Sequence, residues 1–177
     1  MPTEQLHYGP TAKVFHWLIV ILLAIQLPLG WLMPDIHRGM MPGIAMSLHV
    51  SIGMTILLLI VLRFLWRLTH PVAPVTNLPP WQRVSSELVH WLLYIVVLLT
   101  TFSGWFAASA KGWTIYLVGL RLVEQGSAFG RTIGGWHELL TWALLGLIGI
   151  HAATALVHLL IYRDRVMHRM LPGNPAI

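Results

Sequence analysis

The sequence contains no cysteine. That absence removes disulfides, thiolate metal sites, iron–sulfur clusters and thioether attachment of a haem from consideration. Charge is also scarce: 11 Lys+Arg and 6 Asp+Glu leave 10% charged residues in a chain of 177, where a soluble domain carries about 25%. No soluble domain, low-complexity tract or long repeat is evident. The net charge of +5 is not gathered into a patch suited to nucleic acid. The basic residues stand instead at the ends of apolar runs, where topology signals lie.

Apolar residues fill the space that charge leaves. The chain is 56% hydrophobic with nine tryptophans and has a mean hydropathy of +0.72. Indole rings favour the membrane–water interface, so this balance predicts an integral membrane protein. A bilayer crossing needs about 20 residues at 1.5 Å each, and four runs reach it, approximately 14–33, 44–66, 84–108 and 134–162. The first run has no small-residue cleavage site after it and reads as a retained span rather than a signal peptide. The connections are rich in turn formers, and the proline-rich THPVAPVTNLPPWQ should be extended and non-helical. The expectation is an all-α, four-helix transmembrane bundle forming one membrane domain over residues 1–177.

Orientation follows from the basic residues. Lys13, Arg63, Arg67, Arg83, Arg163, Arg165 and Arg169 fall on one side, and Arg38, Lys111, Arg121 and Arg131 on the other. The larger set, close to helix ends, places both termini in the cytoplasm. In a Gram-negative cell the protein would lie in the inner membrane with the long 109–133 segment in the periplasm. The apolar stretch Trp113–Val118 in that segment should lie along the membrane surface.

Ten histidines are present. His7, His37, His70 and His168 fall in loops or tails and read as solvated surface. Six lie on spans: His16, His49, His90, His137, His151 and His158. Ionisable groups at membrane depth are costly and usually functional. His137 and His151 are 14 residues apart, which is nearly four helical turns, so they share a face about 21 Å apart along the axis. His158, a further seven residues on, lies near the same stripe. Two imidazoles so separated, each needing an opposite partner, point to two stacked haem groups with bis-histidine ligation, which suits electron transfer. His49 matches His137 in depth, and Gly53, one turn on, leaves room for a porphyrin against the helix. At the inner end His151 pairs with His16 or His90, and spacing does not choose.

The contexts FHW in the first span, LHVSIG in the second, WHE opening the fourth and GLIGIHAATALVHLLIYRD at its end resemble the bacterial cytochrome b561 family over essentially the whole chain. The resemblance implies four transmembrane helices and two non-covalent haem b groups. It implies His49 and His137 as ligands of the periplasmic-side haem, and His16 and His151 as ligands of the cytoplasmic-side haem. His90 and His158 match histidines that members also carry, and we place them at the quinone end.

Other residues fit that frame. Arg63 and Arg67, one turn apart, suit haem propionates or positive-inside anchoring. Arg38, Lys111, Arg121 and Arg131 give the outer face a positive excess that would steer an anion. Glu138 follows a ligand position and suits either a hydrogen bond to a bound group or the positive end of a helix. Glu87 and His90, three apart, share a face and are suited to pass protons to a quinone.

Two functions follow. The resemblance implies an enzyme that oxidises periplasmic superoxide and reduces ubiquinone in the membrane. The alternative is a cytochrome b membrane-anchor subunit, relaying electrons between quinone and a periplasmic redox partner such as a hydrogenase.

Overall fold

The computed structural model describes residues 8–33, 41–72, 78–113, 119–164 and 166–171. Among these the chain is all-helical: α1 (Pro10–Trp31), α2 (Ile44–Thr69), α3 (Pro80–Ala110) and α4 (Ala128–Val157). A π-helical turn, His158–Tyr162, continues α4, and a short 3-10 turn, Met167–Arg169, follows. All four long helices are long and apolar enough to cross a membrane.

The helix limits differ from the sequence expectation for local reasons. Pro10 and Pro80 occupy first-turn positions of α1 and α3, where a missing N–H costs nothing, and these helices begin four residues before the apolar runs. α4 starts at Ala128 because the Ser127 hydroxyl accepts from Gly130 N at 3.2 Å, satisfying an orphan donor. Pro28 lies inside α1, and the helix ends within one turn of it. The proline-rich connection is non-helical at 71–72 and 78–79; residues 73–77 lie outside the described ones.

Hydroxyls within the spans are satisfied by their own helices. Ser51, Thr55, Thr100, Thr141 and Thr154 each donate to the carbonyl four residues back, at 2.7–2.9 Å. In lipid such internal pairing replaces water.

α3 and α4 pack most closely. A Cβ on Gly134 would stand 2.7 Å from Ala107 Cβ and 2.9 Å from its Cα, so only glycine permits this approach. The loop beyond α3 folds back over its end. Gly112 and Gly126 adopt φ of 82°, which glycine takes without strain, and Gly126 N donates to the Ala110 carbonyl at 2.8 Å.

The buried centre joins all four helices: Ile19 of α1, Ile56 and Ile60 of α2, Tyr94 and Val97 of α3 and Leu144 of α4, with Leu23 packed against them. Ile56 is seven residues after His49, Val97 seven after His90, and Leu144 midway between His137 and His151. This aliphatic layer therefore separates two layers that carry histidines.

Candidate functional site: two histidine layers

Seven residues make about two turns and about 10 Å of helix, and that step organises the bundle. The outer layer is Gly30, His49, Gly104 and His137, one residue from each helix. The middle layer is Leu23, Ile56, Val97 and Leu144. The inner layer is His16, Arg63, His90 and His151.

In the outer layer the His49 and His137 rings have centroids 6.1 Å apart and planes at 86°. Each ring has a glycine beside it. A Cβ on Gly30 would be 3.3 Å from His49 Cε1, and one on Gly104 would be 2.9 Å from His137 Cε1. His137 Nδ1 lies 2.8 Å from the Thr100 carbonyl oxygen, which only accepts. Nδ1 therefore carries the hydrogen, and the neutral ring presents its lone pair at Nε2. His49 makes no such bond through Nδ1, a buried atom without a partner among the described residues. Gln26 Nε2 donates to the His49 carbonyl at 2.9 Å.

Both imidazoles line a cavity of about 480 Å³, together with Gly30, Gly53, Gly104 and Trp142. That volume lies within the range of about 300–1,000 Å³ usual for small-molecule and cofactor sites. Gly53 faces α1, where a Cβ on it would stand 3.3 Å from Gln26 Nε2. Lys111 and Glu138 also line the cavity, and Lys111 Nζ lies 4.9 Å from the centre of the Trp113 ring. Burial holds the Lys111 ammonium below the usual lysine range. Arg121 donates to the Gly112 carbonyl at 2.8 Å and Arg131 to that of Gly126. Arg38 and residues 114–118 of the expected surface stretch lie outside the described residues.

The inner layer is more crowded. His151 meets His16 at 6.3 Å between ring centroids and His90 at 5.3 Å, so the structure brings both sequence alternatives to one ring. Arg63 is tied within the protein, donating to Tyr94 Oη at 3.1 Å and to the Ala12 carbonyl at 2.8 Å. The Arg67 guanidinium lies 5.9 Å from the Tyr94 ring centre. Glu87 is exposed and His90 half-buried at the start of α3.

His158 lies beyond this layer. It is 6% exposed, and its Nδ1 donates to the Asp164 carboxylate at 2.5 Å. The π-helical turn and the left-handed Arg163 (φ 52°) swing Asp164 back toward it. Asp164 also accepts from Val166 N, and Trp17 Nε1 donates to the Met170 carbonyl. The C-terminal segment thus closes over the start of α1.

Sequence reasoning did not single out Gly30, Gly104, Gln26, Thr100 or Asp164. The two glycines had a signal, the seven-residue step His16–Leu23–Gly30 and His90–Val97–Gly104. The others act through backbone groups or a chain reversal, which no spacing reveals. Among the described residues no group of three or more His, Asp or Glu side chains is arranged to hold a bare metal ion.

Comparison with known proteins matches residues 7–173 to the family model described as prokaryotic cytochrome b561. The chain is 30% identical to cytochrome b561 homolog 2 of Escherichia coli K12, over 93% of this chain and 90% of that one. It is 28% identical to the probable superoxide oxidase CybB of Yersinia pestis, over 89% and 91%. It is 26% identical to cytochrome b562 of Cereibacter sphaeroides, over 96% and 98%.

Proposed function

The chain belongs to the prokaryotic cytochrome b561 family, a family of haem-binding membrane cytochromes, and from that premise we propose that it carries two haem b groups and passes electrons from periplasmic superoxide to ubiquinone. In this reading His49 and His137 hold the outer haem, and His16 and His151 the inner. Both termini are cytoplasmic and the protein lies in the inner membrane.

The observation that carries the reading is the pair of imidazole pairs at two depths. Metal–imidazole bonds of about 2 Å on opposite sides of one metal set ring centres roughly 6 Å apart. The separations of 6.1 Å and 6.3 Å suit that, whereas the 5.3 Å of His90–His151 is tighter. Two imidazoles leave further donors for a bound group to bring, as the macrocycle of a haem would. The bond from His137 Nδ1 to a carbonyl leaves Nε2 free to ligate, the usual support of a metal-bound histidine.

Haem b, when bound, would supply a one-electron carrier, held by His49 and His137 at one depth and by His16 and His151 at the other. The chain's own residues do the rest. Lys111, Arg121 and Arg131 attract the superoxide anion to the outer face. Two superoxide anions each lose one electron to give O2, and the quinone gains two electrons and two protons. At the inner end His158, its Nδ1 held by Asp164, is a proton donor to the quinone, and His90 a second candidate. Glu87, exposed, would serve only at the entry from solvent. Arg67 is the better placed partner for a haem propionate, because Arg63 is committed to Tyr94 and Ala12. The activity in the name of the Yersinia pestis relative supports the choice of superoxide.

Stopped-flow mixing of purified, haem-loaded protein with superoxide and ubiquinone tests the proposal. Quinol formation with no added partner is expected. A fully loaded protein that forms none would overturn it, and would favour a membrane-anchor cytochrome relaying electrons to a periplasmic enzyme.

A further inference from the structure

Two buried polar side-chain atoms lack a hydrogen-bond partner among the described residues, Gln26 Oε1 and His49 Nδ1. Both belong to residues lining the outer cavity. Buried polar groups are nearly always paired, so each orphan needs an explanation. The orientation of the Gln26 amide is fixed chemically. Its nitrogen meets the His49 carbonyl at 2.9 Å, which only accepts, so Oε1 is the free end.

The Nδ1 edge of His49 faces the same helix. A Cβ on Gly30 would stand 3.3 Å from His49 Cε1 and 3.7 Å from Nδ1, and Gly30 is one turn after Gln26 on α1. A histidine that ligates through Nε2 carries its hydrogen on Nδ1. One orphan is then a donor and the other an acceptor, on facing surfaces of α1 and α2. We propose that one buried water accepts the His49 Nδ1–H and donates to Gln26 Oε1, and that Gln26 is the positioning residue of the outer haem site. The inference rests on the bis-histidine reading given above.

The two outer ligands are then supported differently. His137 is held by a main-chain carbonyl, which substitution cannot remove, and His49 by a side chain that substitution can. An acceptor on Nδ1 makes the imidazole a stronger electron donor. That favours the oxidised metal and lowers the reduction potential.

Redox titration and low-spin electron paramagnetic resonance of the purified, haem-loaded full chain test this, with Gln26→Leu and Gln26→Glu compared with the unmodified protein. Gln26→Leu should raise the midpoint potential of the outer haem and move its low-spin signal. Gln26→Glu should lower that potential, and the inner haem should keep its potential in both. Two retained haems with an unchanged outer potential and signal in both variants would overturn the proposal, as would equal shifts of both haems. If Gln26→Leu loses the outer haem, Gln26→Glu decides alone by whether the outer potential falls or stays. An unmodified chain that binds no haem, or a His49→Ala chain that retains two, overturns the ligand assignment and this inference with it.

Discussion

The outer and inner layers use equivalent positions on the same four helices, seven residues from a shared aliphatic middle, yet they are furnished differently. On α3 the outer position is Gly104 and the inner one His90; on α1 they are Gly30 and His16; on α2, His49 and Arg63. Only α4 repeats itself, with His137 and His151. The outer layer thus holds two imidazoles and two glycines around a cavity of about 480 Å³. The inner layer holds three imidazoles and an arginine, and the hollow beside it, near Arg63 and Tyr94, is only about 20 Å³. A glycine opposite a ring gives a flat group space against the backbone, whereas at the corresponding positions of α1 and α3 the inner layer has His16 and His90. The difference separates a layer with one imidazole pair beside open space from a layer where a third imidazole stands beside the pair.

The largest expected effect is loss of a haem. His49→Ala or His137→Ala should remove the outer haem alone, and His16→Ala or His151→Ala the inner alone. Each would halve the haem-to-protein ratio measured by absorbance of the reduced b-type bands. Two haems retained in any of the four breaks the pairing.

Gly104→Val comes next. Its Cβ would stand 2.9 Å from His137 Cε1, and overpacking of this kind costs about 1–3 kcal/mol. Outer-haem occupancy should fall while the inner haem stays, with a lower thermal midpoint; equal loss of both haems would contradict a local effect. His90→Ala tests the crowded side. Both haems should remain and quinone reduction should slow; loss of the inner haem would instead identify His90 as the ligand in place of His16.

Smaller changes are expected at the two ends. Asp164→Asn removes the carboxylate from His158, a charge-assisted bond worth about 1.5–3 kcal/mol. Quinone reduction should slow several-fold at unchanged haem content, and a rate equal to that of the unmodified chain would remove His158 from proton delivery. Lys111→Gln should reduce the superoxide rate by less than about tenfold and flatten its dependence on ionic strength. Because burial holds the Lys111 ammonium below the usual lysine range, it deprotonates at a lower pH than an exposed lysine. Its contribution to the superoxide rate should therefore fade at a lower pH than that of an exposed lysine as pH rises. A Lys111→Gln protein with the same rate and the same salt slope removes that residue from anion steering.

Much of the architecture was legible because membrane solvent imposes strong local rules. Runs of about 20 apolar residues predict helices in lipid, and the four helices appear where the runs lie. Their ends shifted because Pro10, Pro80 and Ser127 act through backbone groups outside the apolar stretches. The matching depth of His49 and His137, whose rings are neighbours, was legible as well, since helix rise converts sequence position into depth. The π-helical turn after Val157 was not, and with it the closure of Asp164 onto His158. That bond depends on a chain reversal at Arg163 rather than on any periodic pattern.

Four apolar spans, the histidines on them, and the 14-residue step that sets two depths on α4 can all be read along the chain. These follow from composition and from the fixed geometry of one helix. Which residues meet across helices emerges from packing: Gly30 meets His49, Gly104 meets His137, and His16 and His90 both reach His151. Register between helices is set by interlocking side chains at their contacts, Gly134 against Ala107 and Leu144 against its neighbours, and a single helix contains no information about where its partner stops.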